Sequence, residues 1–119
     1  MPFKRLLTNL VESVPGATGA ILADWEGESV EQHCQGDPYD MKVTAAHWGI
    51  LLNRLKETHA SYEAGRVKES VITTDAEYAI VGAIGEEYSL VMTMTRETLP
   101  LLALRNFRET ARLLEKEIY

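Results

Sequence analysis

The chain has 119 residues, which suits one domain built around a single hydrophobic core. Its net charge of −6, with Lys and Arg scattered along the chain, excludes the basic stripe that nucleic acids and anionic membranes require. We expect one cytoplasmic domain over residues 1–119, because the chain has no apolar run near the ~20 residues of a membrane span and no signal-peptide pattern, and its one cysteine permits no internal disulfide.

The first third of the chain predicts a helix followed by a β-hairpin. Residues 3–14 have apolar positions at helical spacing, and Pro15–Gly16 ends this helix. Ala17–Ala23 is small and apolar without alternation, which is typical of a strand covered on both faces. Gly27 predicts a positive-φ turn before a more polar return strand, Glu28–Cys34.

The second helix is predicted over Asp40–Tyr62. Its packing stripe comprises Met41, Ala45, Trp48, Leu52, Leu55 and Tyr62. Val43, Ile50 and Leu51 lie outside this stripe, so the helix carries more apolar surface than one sheet can cover. We therefore expect it to pack against two partners, and Gly49 is suited to a close helix–helix approach.

Three strands and a helix complete the chain. The strands are predicted over Val67–Thr74, Tyr78–Ala83 and Tyr88–Met94, and their short connections make neighbours antiparallel. The last helix begins near Thr98, a predicted N-cap residue, with Pro100 in its first turn. Its predicted buried face comprises Leu101, Leu104, Phe107, Ala111, Leu114 and Ile118.

The element order α-β-β-α-β-β-β-α defines the fold class, α/β of the α+β type. We predict one five-stranded antiparallel sheet with helices on both faces, since its inner strands are apolar on both sides. The polar strands, Glu28–Cys34 and Val67–Thr74, belong at the two edges. An exposed edge invites pairing with another chain.

Motifs for catalysis, cofactors and metals are missing from the sequence. There is no P-loop, and Gly82–Gly85 is better interpreted as a hairpin turn. His33 and Cys34 are adjacent on a strand and so point to opposite faces, which leaves Cys34 as a small buried hydrophobe. We therefore predict no catalytic, cofactor-binding or metal-binding residue, and a function in protein binding.

Three features remain as candidate binding surfaces: the apolar second helix, the edge strand after it, and an aromatic residue in the first hairpin turn. Trp48 in the helix is equally consistent with the core and with an interface. Trp25 in the turn is a possible partner contact, although covering the end of the core is the favoured interpretation.

Val14–Gly27, with its small residues around a turn glycine, resembles the first hairpin of the roadblock/dynein light-chain domain family. Tyr88–Met94 and the Leu-rich closing helix are similar to that family's last strand and helix, so the resemblance covers the whole chain. The resemblance implies a homodimer in which the edge strands pair and the second helices pack side by side. It assigns to the interface Trp48, Leu51, Leu52, Leu55, His59, Val67, Glu69, Val71 and Thr73.

The same resemblance implies a non-catalytic adaptor or regulator of a small Ras-like GTPase, which acts by ordering the switch regions of that GTPase. The family has no defining arginine finger, and the sequence gives neither Arg54 nor Arg66 that role. Two alternatives stay open: a structural subunit of a motor or polarity complex, and a sensory domain for a small ligand.

Overall fold

The computed structural model describes residues 2–59 and 65–119, and over these residues the element order is the predicted one. The elements are α1 (Pro2–Ser13), β1 (Ala17–Asp24), β2 (Ser29–Cys34), α2 (Pro38–His59), β3 (Glu69–Thr73), β4 (Glu77–Ile84), β5 (Tyr88–Thr95) and α3 (Pro100–Ile118). Tyr62, the predicted end of the second helix, lies outside the described residues.

The strands of the described residues form one sheet in the order β2-β1-β5-β4-β3. All neighbouring pairs are antiparallel. The predicted five-stranded antiparallel sheet is therefore confirmed, and the two polar strands, β2 and β3, do lie at its edges. Their polarity has a physical reason, because an edge strand has one neighbour fewer to exclude water from its side chains.

Helices cover both faces of the sheet, and the alternation of side chains along each strand divides the core in two. Ile80 and Ile84 of β4 point towards α1 and α3, whereas Val81 points towards α2. The core on the α1/α3 side includes Leu7, Leu10, Leu22, Ile80, Met92, Phe107 and Leu114. The core on the α2 side is smaller and consists of Ile21, Met41, Ala45, Leu52, Val81 and Val91.

Two hairpin turns rely on glycine in the left-handed region. Gly27 has a φ of 86° and Gly85 a φ of 63°, so the turn predicted at Gly27 is confirmed. The turn predicted over Gly82–Gly85 is wrong for its first three residues, which belong to β4. Gly82 serves packing instead, because the ring of Phe107 on α3 lies directly over it.

The start and the rotation of α3 differ from the sequence prediction. Leu99, without a side-chain capping bond, occupies the N-cap position predicted for Thr98, and Pro100 opens the helix. Leu101, predicted to be buried, is 82% exposed. The stripe that contacts the sheet consists of Ala103, Phe107, Thr110 and Leu114, which turns Leu101 to the opposite side of the helix.

We expect Gly82→Ala to destabilise the fold. A Cβ at this position would lie 2.7 Å from Cε1 of Phe107, closer than carbon atoms approach each other. Overpacking of this kind lowers the free energy of unfolding by about 1–3 kcal/mol, measurable from urea unfolding curves. Gly36→Ala is the control, because no atom lies within 4 Å of its added Cβ. Equal stability of the two variants would contradict the close packing of Phe107 on β4.

Candidate partner-binding surface

The outer edge of β3 presents the main-chain groups of alternate residues. The N–H of Ala83 donates to the carbonyl of Lys68 at 2.8 Å, and the N–H of Thr74 donates to the carbonyl of Glu77 at 2.9 Å. Alternate residues of an antiparallel strand bond to the same neighbour, so Ser70 and Ile72 share this orientation towards β4. The N–H and C=O groups of the residues between them, Glu69, Val71 and Thr73, therefore point away from the sheet.

These outward groups are not occupied from within the described part of the chain. Among the described residues, 2–59 and 65–119, no side chain forms a hydrogen bond with the main chain of Glu69, Val71 or Thr73. Val71, in the middle of the strand, has a side chain that is 48% exposed. The register of β3 with β4 is regular over all five residues, from Glu69 opposite Gly82 to Thr73 opposite Tyr78. The edge of β3 is a straight template for a further strand.

The side chain of Glu69, a predicted interface residue, is engaged within the chain. Nε of Arg108 on α3 donates to the Glu69 carboxylate at 2.7 Å. This hydrogen bond and the charge of the carboxylate raise the pKa of Arg108 above its ordinary value. The pair holds Glu69 on the α1/α3 side of the sheet, so the main chain of Glu69 faces the open edge while its carboxylate does not.

The outer surface of α2 carries the apolar side chains that its own sheet leaves uncovered. Ile50 is 57% exposed, and Val43, Leu51 and Leu55 are exposed as well. Val43, Leu51 and Leu55 are spaced by eight and four residues, which aligns them in one ridge along the helix. The prediction that α2 has more apolar surface than one sheet covers is therefore confirmed.

Other predicted interface residues of α2 pack within the chain itself. Leu52 is 1% exposed and belongs to the α2-side core. Trp48 is half-buried against that core, and its ring meets the ring of His47 edge-on at 5.1 Å. Nε1 of Trp48 is buried without a hydrogen-bond partner among the described residues. His59 and Val67 are both half-buried and line one groove between the end of α2 and the segment that precedes β3.

Gly49 faces the sheet and not a second helix. A Cβ built on Gly49 would have Oγ of Ser89 on β5 as its nearest neighbour, at 3.9 Å. The space beneath this part of α2 is a cavity of about 130 Å³, lined also by Ala45, Leu52 and Asn53. The predicted role of Gly49 in close helix–helix approach therefore has no support in its position.

The first hairpin turn exposes its aromatic residue. Trp25 is 67% exposed, so the prediction that it covers the end of the core is wrong. Asp24 organises the turn, because its Oδ1 accepts hydrogen bonds from the N–H groups of Glu26 at 2.9 Å and Glu28 at 3.0 Å. These bonds fix the loop, in which Trp25 borders the cavity beneath α2 and stays mostly exposed. A role for Trp25 in contacting a partner stays a prediction.

The described residues hold no cluster of three or more potential metal ligands. Cys34, predicted to be buried, is half-buried, and its thiol donates to the carbonyl of Gly36 at 3.5 Å. Across residues 2–59 and 65–119, none of the helices has the length and apolar character needed to span a membrane.

The two arginines considered in the sequence lie on the surface. Arg66 pairs with Glu86 at 3.1 Å, and Arg54 is exposed on α2.

We expect Gly49→Ala to stabilise the protein. Alanine is favoured over glycine in a helix by about 1 kcal/mol, and the added methyl group has room above Ser89. The free energy of unfolding should rise by up to that amount without a change in the protein's mass in solution. Gly27→Ala is the contrasting control and should lower stability, because Gly27 has positive φ. A destabilised Gly49→Ala variant would instead indicate a tight contact at this position.

Comparison with known proteins agrees with the sequence resemblance at the level of fold. No protein-family model and no curated protein matches the chain by sequence. Among solved structures, a roadblock/LC7 domain from Streptomyces avermitilis matches with a TM-score of 0.86 and 21% identity, over 97% of this chain and 96% of that chain. Myxococcus xanthus MglB matches with a TM-score of 0.88 and 13% identity, over 99% and 95% of the respective chains.

A third structure, MglB with a tetrameric arrangement, matches with a TM-score of 0.85 and 15% identity, over 97% of this chain and 86% of that chain. All three matches extend over nearly the whole of the present chain. Identities this low carry information about the backbone and not about partners. The chain therefore has the fold of the roadblock/LC7 domains.

Proposed function

We propose that the chain forms a homodimer through β3 and α2, and that this dimer regulates a small Ras-like GTPase. The observation that carries the dimer is the straight edge of β3, where Glu69, Val71 and Thr73 direct their main-chain groups away from the sheet. When a partner covers these N–H and C=O groups, they lose their hydrogen bonds to water and need new partners. The outward N–H and C=O groups of a second β3 would supply those partners in matching order.

A twofold axis at Val71 gives the best pairing of two β3 strands. Val71 is the central outward residue, so antiparallel copies related by that axis would exchange hydrogen bonds at Val71 and at the positions two residues before and after it. Glu69 would then lie opposite the partner's Thr73, which avoids the repulsion of two carboxylates facing each other. The two five-stranded sheets would become one continuous sheet.

The apolar surface of α2 supports the same association. Val43, Ile50, Leu51 and Leu55 are exposed in one chain, and burial against a second α2 would remove them from water. His59 of α2 and Val67, two residues before β3, line one groove, so one partner can cover both surfaces. Association is also a property of a protein with the same fold, an MglB in a tetrameric arrangement.

The GTPase part of the proposal rests on the family resemblance of the sequence, together with the fold shared with MglB. A regulator can accelerate GTP hydrolysis by inserting an arginine or by ordering the switch regions. The family resemblance defines no arginine finger, and it gives that role neither to Arg54, which lies among the exposed apolar residues of α2 assigned to the dimer, nor to Arg66, which is exposed beside Glu86. We therefore infer that the chain acts by ordering switch regions.

A small-ligand sensor is less well supported. Ligand pockets usually enclose about 300–1,000 Å³, whereas the cavity between α2 and the sheet measures about 130 Å³. The larger groove of about 600 Å³ is open and lined by charged side chains of both signs, among them Lys56, Arg66, Glu86 and Glu115. Neither space combines apolar enclosure with converging polar groups.

We expect Val71→Pro to dissociate the dimer without unfolding the chain. Proline removes only the outward N–H of Val71, and proline is tolerated on an edge strand when that group faces outward. Two hydrogen bonds at the twofold axis are lost, each worth about 0.5–1.5 kcal/mol. The dimer dissociation constant should therefore rise about 5- to 150-fold.

The matched control for this variant is Val71→Thr, which keeps the N–H and the β-branched shape. Sedimentation or light scattering should give twice the 13.3 kDa of one chain for the native protein and for Val71→Thr. A native protein that remains monomeric at millimolar concentration contradicts the proposed dimer, and so does a Val71→Pro variant that associates like the native chain.

We expect the native dimer, mixed with a small Ras-like GTPase from the same genome, to bind its GTP-bound form and alter GTP turnover. The stimulation should stay below the roughly 10³-fold that an arginine finger gives. Val71→Pro should lose the effect and Val71→Thr should keep it. A dimer that neither binds nor alters turnover would favour the structural-subunit alternative.

A further inference from the structure

The second edge strand, β2, is built differently from β3. Its register with β1 shifts, because Leu22 lies opposite Glu31 while the next residue, Ala23, lies opposite Ser29. Val30 is therefore an extra residue that bulges from the strand. A β-bulge twists an edge away from the flat geometry that a further strand needs. In contrast, β3 pairs with β4 without any shift.

The main chain in the centre of β2 is already bonded to side chains. The N–H of Gln32 donates to Oε1 of Glu31 at 3.1 Å, and Nζ of Lys4 on α1 donates to the carbonyl of Gln32. Lys4 and Glu31 also face each other as an ion pair at 4.0 Å. Both main-chain groups that Gln32 could offer to another strand are thus occupied by two charged side chains.

We propose that Lys4 and Glu31 form a lock that closes the β2 edge, so that a second copy of the chain can extend the sheet only at β3. A strand approaching β2 would have to displace both hydrogen bonds to the main chain of Gln32, one of them from the ammonium group of Lys4. The Val30 bulge ends the regular part of this edge, which leaves Gln32 and Cys34 as the outward residues where another strand could pair once both side-chain bonds are removed.

Closing one edge has a consequence for assembly. A chain with two open edges adds copies at both sides and grows into an open-ended array, whereas a chain with one open edge stops at a pair. This inference rests on the proposed β3 dimer for its biological meaning. The lock itself concerns β2 alone, so the two claims can be tested separately.

The test removes the lock with the double substitution Lys4→Ala and Glu31→Ala. The matched control is Lys116→Ala with Glu117→Ala, which removes the same two charge types from exposed positions on α3. Both pairs are also made in the Val71→Pro background, where β3 is blocked. Sedimentation equilibrium from 10 to 500 μM then gives the mass of each protein.

With β3 available, the unlocked variant should exceed the dimer mass and grow at least twofold further with concentration, while the control should stop at the dimer. With β3 blocked by Val71→Pro, the unlocked variant should dimerise through β2, while the control should stay monomeric. The lock is overturned if the unlocked variant has the same mass as the control in both backgrounds. Failure of the β3 dimer has a different signature, because native protein and Val71→Pro would then have equal mass.

Discussion

A five-stranded open sheet leaves two rows of main-chain N–H and C=O groups at its edges, and the rest of this molecule is arranged around them. The inner strands are buried on both faces by α1 and α3 on one side and α2 on the other. Helices cannot pair with the edges through their main chains, because all but the terminal N–H and C=O groups of a helix are bonded within it. One edge is closed by charged side chains at Gln32, and the other, at Val71, is left as a template.

The α2 helix connects the core to this open edge. Its inner face, with Met41, Ala45 and Leu52, anchors it to the sheet, and its outer face exposes Ile50 and Leu51. In an isolated monomer this outer face is unfavourable, since its apolar side chains stay exposed to water. In the proposed dimer the same residues become a second core between two protomers. The edge of β3 would set the register of the pair, and α2 would supply the buried apolar area.

The sequence predicts the features that depend on local pattern. The polarity of Glu28–Cys34 and Val67–Thr74 identifies the two edge strands, and the extra apolar residues of α2 identify a helix with two packing surfaces. Features that depend on how elements meet are not encoded locally. The rotation of α3 follows from the fit of Phe107 over Gly82, so the predicted burial of Leu101 is wrong.

The lock on β2 is a further case that pattern alone does not reveal. Lys4 and Gln32 are 28 positions apart, and only the packing of α1 beside β2 brings them together. Trp25 illustrates the opposite error, because a large apolar residue suggests burial, yet Trp25 is mostly exposed in the turn that the hydrogen bonds of Asp24 organise.

Hydrogen–deuterium exchange at single amides, measured at several protein concentrations, tests the unequal edges most directly. The amides of Glu69, Val71 and Thr73 should be protected at high concentration and lose that protection on dilution, because only a second copy covers them. The amide of Gln32 should exchange at a rate independent of concentration, because its partner is Glu31 of the same chain. Rapid, concentration-independent exchange at the three β3 amides, or protection at Gln32 that grows with concentration, would contradict the account.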